Sequence, residues 1–136
     1  MKHFTFSELL KSDTAVKQQL WNGANREAEE NLRSLVEQVL DPLREAYGKP
    51  IHVNSGYRCP QLNTLVGGSI NSQHMRGEAA DICPVKSEKL KVKSGLDEMA
   101  QILIDNGKFD QLIIYPTFIH VSYKRLGWNR KQVLYR

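Results

Sequence analysis

Ser72-Gln73-His74-Met75-Arg76-Gly77-Glu78-Ala79-Ala80-Asp81-Ile82 is the stretch from which the rest of the chain can be read. Its first half closes a polar segment, 57–78, that has little periodic apolar character beyond Leu62, Leu65 and Val66. Its second half, Ala79 to Ile82, is a small-residue and apolar run that suits a buried strand. A loop this long in a compact domain is functional or disordered, and one that runs straight into a buried strand is read here as functional. Gly77 lets the chain reverse, so that His74 and Asp81, seven positions apart, can reach one point. Imidazole nitrogen and carboxylate oxygen are both zinc donors, and a carboxylate in a segment fit for burial needs a partner such as a cation. The same residues also read without a metal, as a polar loop histidine and a carboxylate accepting backbone hydrogen bonds at a strand start.

Outward from this stretch, the apolar period changes several times. Upstream, Ile51 and Val53 alternate with His52 and Asn54 as a short strand ending at Ser55-Gly56, and Pro60 opens about one helical turn. Before it, Leu32, Leu35, Val36, Val39, Leu40, Leu43 and Tyr47 recur at helical spacing from Glu27 to Tyr47, with Gly48 and Pro50 as the stop. Pro42 predicts a kink or break near Asp41. Thr5 and Glu8 form a capping-box pattern for a short helix ending by Asp13. Downstream, Ser94 with Asp97 predicts the cap of a helix that ends at Asn106-Gly107. Phe109–Tyr115 and Phe118–Tyr123 then read as an antiparallel hairpin around Pro116-Thr117, with His120 in the middle of its second strand. Helices segregated from a small, mainly antiparallel sheet make an α+β domain.

Composition bounds the possibilities. The 136 residues, 40% of them hydrophobic, make a single domain, 1–136, large enough to be stable without a disulfide framework. Cys59 and Cys83 are compatible with reduced thiols, one disulfide or metal ligation, and are read as buried thiols because their spacing fits no zinc-ribbon pattern. No stretch supplies the roughly 20 apolar residues of a membrane-spanning helix. The start, Met1 to Glu8, lacks the apolar block of a signal peptide, so work outside the cytoplasm would require separate export or cell lysis. The net charge of +4 is modest, and its basic residues gather only in a tail, 124–136, read as a solvated end, with contact to nucleic acid or an anionic cell wall as the alternative.

Ser55-Gly56-Tyr57-Arg58-Cys59-Pro60, Leu62-Asn63, Val66-Gly67-Gly68-Ser69 and Ser72 to Ile82, followed by Phe109 to Ile113 and Phe118 to Tyr123, occur in an order that resembles the M15 zinc peptidases. These include zinc D-alanyl-D-alanine carboxypeptidases, vancomycin-resistance D,D-dipeptidases and several phage endolysin peptidases. The resemblance covers about residues 3–123 and is nearest to the phage-associated M15A branch. It implies a fold of the hedgehog/D,D-peptidase type and Zn²⁺ held by His74, Asp81 and His120. It also implies that Arg58 grips a terminal carboxylate of the substrate and that Ser72 contacts substrate or orients the loop. The expected substrate is the stem peptide of peptidoglycan, with D,D-carboxypeptidase or endolysin-type endopeptidase activity. The chain is expected to act as a monomer that reaches the cell wall from the bacterial cytoplasm by phage-type release or another export route. Binding to nucleic acid and insertion into a membrane are not expected.

Hydrolysis of this kind needs a carboxylate to take the proton of the attacking water. Better-known members place Glu or Asp three residues before the last histidine, where this chain has Thr117. Asp110 is the expected base, with Glu78 as the alternative; Asp110 would otherwise cap its strand or pair with a basic neighbour. Strand parity bears on the choice. An even number of unpaired turn residues puts Gln111, Ile113 and Tyr115 on the face of His120, and an odd number puts Asp110, Leu112 and Ile114 there. Pro116 disfavours the tightest two-residue turn. A domain that kept the metal and lost the base would be a non-catalytic, zinc-containing wall-binding module.

Overall fold

In a computed structural model, which describes residues 1–85 and 91–136, the chain folds as an α+β domain whose helices cover one face of a five-stranded sheet. The strands are β1 (Ile51–Ser55), β2 (Ala79–Pro84), β3 (Gln111–Ile114), β4 (Ile119–Ser122) and β5 (Gln132–Tyr135), in the spatial order β1-β2-β4-β3-β5. Three of the four pairings are antiparallel, and β5 lies parallel to β3. Alternation along the strands sorts the side chains. Ala80, Ile82, Leu112, Ile114, Ile119 and Val121 are buried in the core, while Asp81, Ile113 and His120 occupy the opposite face in one row across β2, β4 and β3.

The long helical pattern is realised in three segments, α3 (Arg26–Leu35), a π-helical turn (Val36–Leu40) and α4 (Asp41–Tyr47). Asn25 caps its start by accepting from the Ala28 backbone N–H at 2.8 Å. The expected break is a change of hydrogen-bond period. Pro42 has no N–H to return to the Gln38 carbonyl, and one wider turn, in which the Asp41 N–H donates to Val36, absorbs the missing donor. Asn106 Nδ2 donates to the Gln38 oxygen at 3.4 Å instead. The apolar stripe stays continuous through the turn, with Leu35, Val36, Val39, Leu40 and Leu43 all buried.

One short helix was not foreseen, and one expected helix start is corrected. The first helix, α1 (Phe6–Leu10), is capped by Thr5 as expected, but Ser12 opens a second short helix, α2 (Asp13–Lys17), through a bond from the Ala15 N–H to its Oγ. The long late helix, α6 (Val92–Asn106), begins two residues before Ser94, so Ser94 and Asp97 lie within it and Lys91 precedes it without a side-chain cap. The basic tail is also more than a solvated end, because its last residues form β5. Cys59 is buried, Cys83 is half-buried with its thiol 3.3 Å from Asn54 Oδ1, and the two are not joined in a disulfide.

Candidate metal centre

His74, Asp81 and His120 reach one point from three places in the fold. A short helix, α5 (Pro60–Leu65), and a polar loop lead to a 3₁₀ turn, Gln73–Arg76, whose first N–H groups are capped by Ser72: its Oγ accepts from the His74 backbone at 3.2 Å. Gly77 ends that turn with φ +74°, and a Cβ there would collide with the Ala28 carbonyl oxygen. Only glycine satisfies both conditions. The chain then enters β2, where Asp81 stands directly opposite His120 of β4.

One oxygen of Asp81, Oδ1, lies 3.2 Å from His74 Nε2 and 2.9 Å from His120 Nδ1. The imidazoles meet edge to face, with centroids 5.1 Å apart. Donor atoms of the three residues all lie within 4.8 Å of one another. Burial by itself would raise the Asp81 carboxyl, but the hydrogen bonds and positive charge of His120 and His74 outweigh it and hold the group well below the ordinary carboxylate range. Its other oxygen, Oδ2, accepts from Arg58 Nη2 at 3.3 Å.

The tautomer of His74 tests whether a cation fits. Its Nδ1 lies 2.7 Å from the Gly56 carbonyl oxygen, which can only accept, so Nδ1 carries the proton. A neutral imidazole then presents a lone pair on Nε2 to an oxygen of Asp81, setting two acceptors face to face. Either a second proton or a cation resolves that conflict. A backbone carbonyl fixing the remote nitrogen of a metal-binding histidine is the usual supporting arrangement. Two imidazoles and a carboxylate are moreover a donor set that zinc accepts, with a fourth position left for water or substrate.

The three donors sit in the wall of an open cavity of about 600 Å³. Arg58 and Ser72 line it too. Three donors of Arg58 are used, by Ser55 Oγ at 3.0 Å, Asn63 Oδ1 at 3.3 Å and Asp81. The guanidinium is therefore fixed in plane with part of its fork free. Burial pulls its pKa down, and the Asp81 charge works against that pull.

Neither expected base joins the three donors. The hairpin closes with a Tyr115 N–H to Phe118 carbonyl bond at 2.9 Å, leaving only Pro116 and Thr117 unpaired. This tight two-residue turn is the one that Pro116 was expected to disfavour. It forms because neither turn residue has a positive φ, so the turn is not of a primed type and proline fits. The even count places Gln111, Ile113 and Tyr115 on the face of His120. Asp110, just before β3, is wholly buried and accepts from the Arg130 backbone N–H at 2.9 Å, from Nε at 3.1 and 3.2 Å and from Nη2 at 2.9 Å. Burial opposes its ionisation, but the Arg130 bonds prevail and its carboxyl lies below the usual range. Glu78 is tied to Arg76 Nε at 2.8 Å and to Gln73 Nε2 at 3.4 Å. Thr117 lines a separate cavity with His52 and Cys83.

Sequence reading missed three supporting groups. The Gly56 carbonyl orients His74; it carried no side-chain signal. Asn63, buried, bridges Arg58 and the Ser69 carbonyl, and Arg130 closes on Asp110 from the tail. For Asn63 the signal was a polar residue next to Leu62 in a short helical turn.

Fold and donor set together define a small α+β domain built around a His-Asp-His group that could hold a metal ion. Residues 2–122 match the peptidase M15 family, and the chain belongs to that family. It is also 39% identical over 83 residues to the zinc D-Ala-D-Ala carboxypeptidase of Streptomyces albus G, a match covering 59% of this chain and 31% of that protein. Zinc is the metal that this kinship and the donor set imply. No described helix is long and apolar enough to cross a membrane.

Proposed function

We propose that the domain is a zinc peptidase that hydrolyses D-alanyl bonds in peptidoglycan stem peptides, with His74, Asp81 and His120 as the metal ligands. The observation that carries this reading is the placement of His74, whose Nδ1 lies against the Gly56 carbonyl while Nε2 faces an Asp81 oxygen that His120 also faces. Bound zinc supplies Lewis-acid polarisation of a peptide carbonyl and acidification of water.

The chain's own residues do the rest. Arg58, held in plane by Ser55, Asn63 and Asp81, binds the terminal carboxylate of the peptide with the free part of its fork and so sets the last peptide bond beside the metal donors. Ser72 holds the His74 turn through its bond to the backbone N–H. We assign Asp110 the role of anchoring Arg130 rather than that of proton acceptor, because both its oxygens already accept from that arginine. A terminal-carboxylate clamp beside the metal donors favours carboxypeptidase action over internal, endolysin-type cleavage.

Among the described residues, the acids lining the cavity are Asp81 and Asp110, and both are engaged. That observation supports a second reading, a metal-containing module that binds wall peptides without cleaving them. One experiment separates the two. Zinc-loaded protein and His120→Ala are incubated with muropeptides and with a peptide ending in D-Ala-D-Ala. Release of D-alanine or of new amino ends by the unaltered protein alone establishes hydrolysis, whereas retention of peptide without release leaves the binding module.

A further inference from the structure

Four cations line the cavity, and three of them face a carboxylate. Arg58 faces Asp81, Arg76 faces Glu78 and Arg130 faces Asp110. The fourth, Lys124, makes no side-chain hydrogen bond or ion pair among the described residues, although its backbone is fixed. Its N–H donates to Asn129 Oδ1 at 2.8 Å, and its carbonyl accepts from Asn129 Nδ2 at 3.1 Å. The Tyr123 N–H, just before it, donates to the Glu78 carbonyl at 2.8 Å, extending the strand pairing to the edge of the loop. An ammonium on an anchored backbone, without a partner of its own, lies next to the Asp110–Arg130 pair, where one carboxylate serves two cations. Arg130 uses Nε and Nη2 on Asp110, and its Nη1 has no partner among the described residues.

These groups stand away from Arg58. Arg58 is bound on the β1–β2 side, whereas Asp110 and Arg130 meet at the start of β3 and β5, two and three strand positions beyond β2 in the sheet order. At about 4.8 Å per strand the separation is roughly 10–14 Å. An extended peptide covers that distance in about three to four residues at about 3.4 Å each.

We infer that Lys124 and Arg130 form a second anion-reading wall of the cavity, which selects peptides carrying a carboxylate about three residues before the terminal carboxylate held by Arg58. The inference rests on the peptidase reading for the direction in which the peptide lies. The substrate class is thus an acidic peptide rather than any peptide ending in D-Ala-D-Ala. Charge supplies the selection: a neutral amide at that position leaves Lys124 only a share of the Asp110 charge that Arg130 already engages, while a carboxylate supplies a counter-charge of its own.

The test compares acetyl-Glu-Ala-D-Ala-D-Ala with acetyl-Gln-Ala-D-Ala-D-Ala. Binding of each to metal-free protein is measured by calorimetry, and kcat/KM by D-alanine release from zinc-loaded protein. The expected preference for the Glu peptide is roughly three- to tenfold, the size of one partly screened ion pair. It falls toward one in Lys124→Gln, survives in Lys124→Arg and shrinks as salt is raised. Equal binding of the two peptides by the unaltered protein overturns the inference, as does an undiminished preference in Lys124→Gln. If neither peptide is hydrolysed the peptidase reading fails, and the calorimetric preference still decides whether the wall exists.

Discussion

Replacing Asp110 with Asn distinguishes an anchor from a proton acceptor. In the folded protein Asp110 is fully buried and meets both Nε and Nη2 of Arg130, with a further bond from the Arg130 backbone. Truncating one partner of a buried charge pair costs about 3–5 kcal/mol. Arg130 is 45% exposed, so water replaces part of what its removal takes away, and Arg130→Ala is expected to cost about 2–3 kcal/mol. Asp110→Asn keeps one acceptor oxygen but turns an NH₂ toward a donor, which we put at about 1–2 kcal/mol. For a chain of this length each kcal/mol moves Tm by roughly 3–4 °C. Asp110→Asn should therefore melt some degrees lower and retain kcat within about tenfold, whereas loss of a general base costs about 10²–10⁴ in rate. Calorimetric melting beside D-alanine release reads both quantities. Wild-type Tm with kcat reduced a hundredfold or more would refute the anchoring role.

The pH dependence of the same pair has a definite sign. The folded carboxyl of Asp110 lies below its unfolded value, so its stabilisation is fully present above that unfolded value, about 3.9, and is lost as pH falls through the folded value. The Tm gap between the unaltered protein and Asp110→Asn should be complete near neutrality and close progressively below about pH 4.

Metal content provides a separate check: about one zinc per chain in the unaltered protein by elemental analysis, lost in His74→Ala, Asp81→Ala or His120→Ala, and a folded wild type that takes up no zinc would contradict the centre. Arg58→Lys should raise KM for peptides ending in a free carboxylate more than it lowers kcat, since an ammonium cannot reproduce the fork; an unchanged KM in steady-state assays would argue against the clamp. Gly77→Ala combines a left-handed backbone with a collision at the Ala28 carbonyl, and we expect a loss of about 2 kcal/mol or more, read by denaturant melting, along with weaker zinc binding.

What the sequence made legible follows from how local each signal is. Thr5 and Glu8, Asn106-Gly107 and the stripe from Leu32 to Tyr47 act within a few residues, and the elements they imply are present. The π-helical turn was legible only as a fault at Pro42, because which wider bond would repair it depends on the neighbours of Gln38 and Asp41. Asp41, for instance, is buried and accepts from the backbone N–H groups of Lys2 and His3, almost forty residues away. β5 was missed because four residues flanked by Arg130, Lys131 and Arg136 look like a solvated tail until β3 offers them an edge. The role of Arg130 was invisible for the same reason, since its partner is twenty positions distant and is defined by burial rather than by spacing.

The convergence of the three donors depends on registers rather than on residue types alone. His120 faces Asp81 because β2 and β4 pair with these two residues opposite, and a slip of one residue would turn His120 into the apolar layer between the sheet and the helices. That slip is disfavoured by the same alternation that fills the core. It would bring Ile119 and Val121, both fully buried, onto the open face and lose roughly 1.5–3 kcal/mol for each. The apolar residues on either side of His120 thus hold the imidazole in place, and the His74, Asp81 and His120 donor group inherits its geometry from the packing of the opposite face.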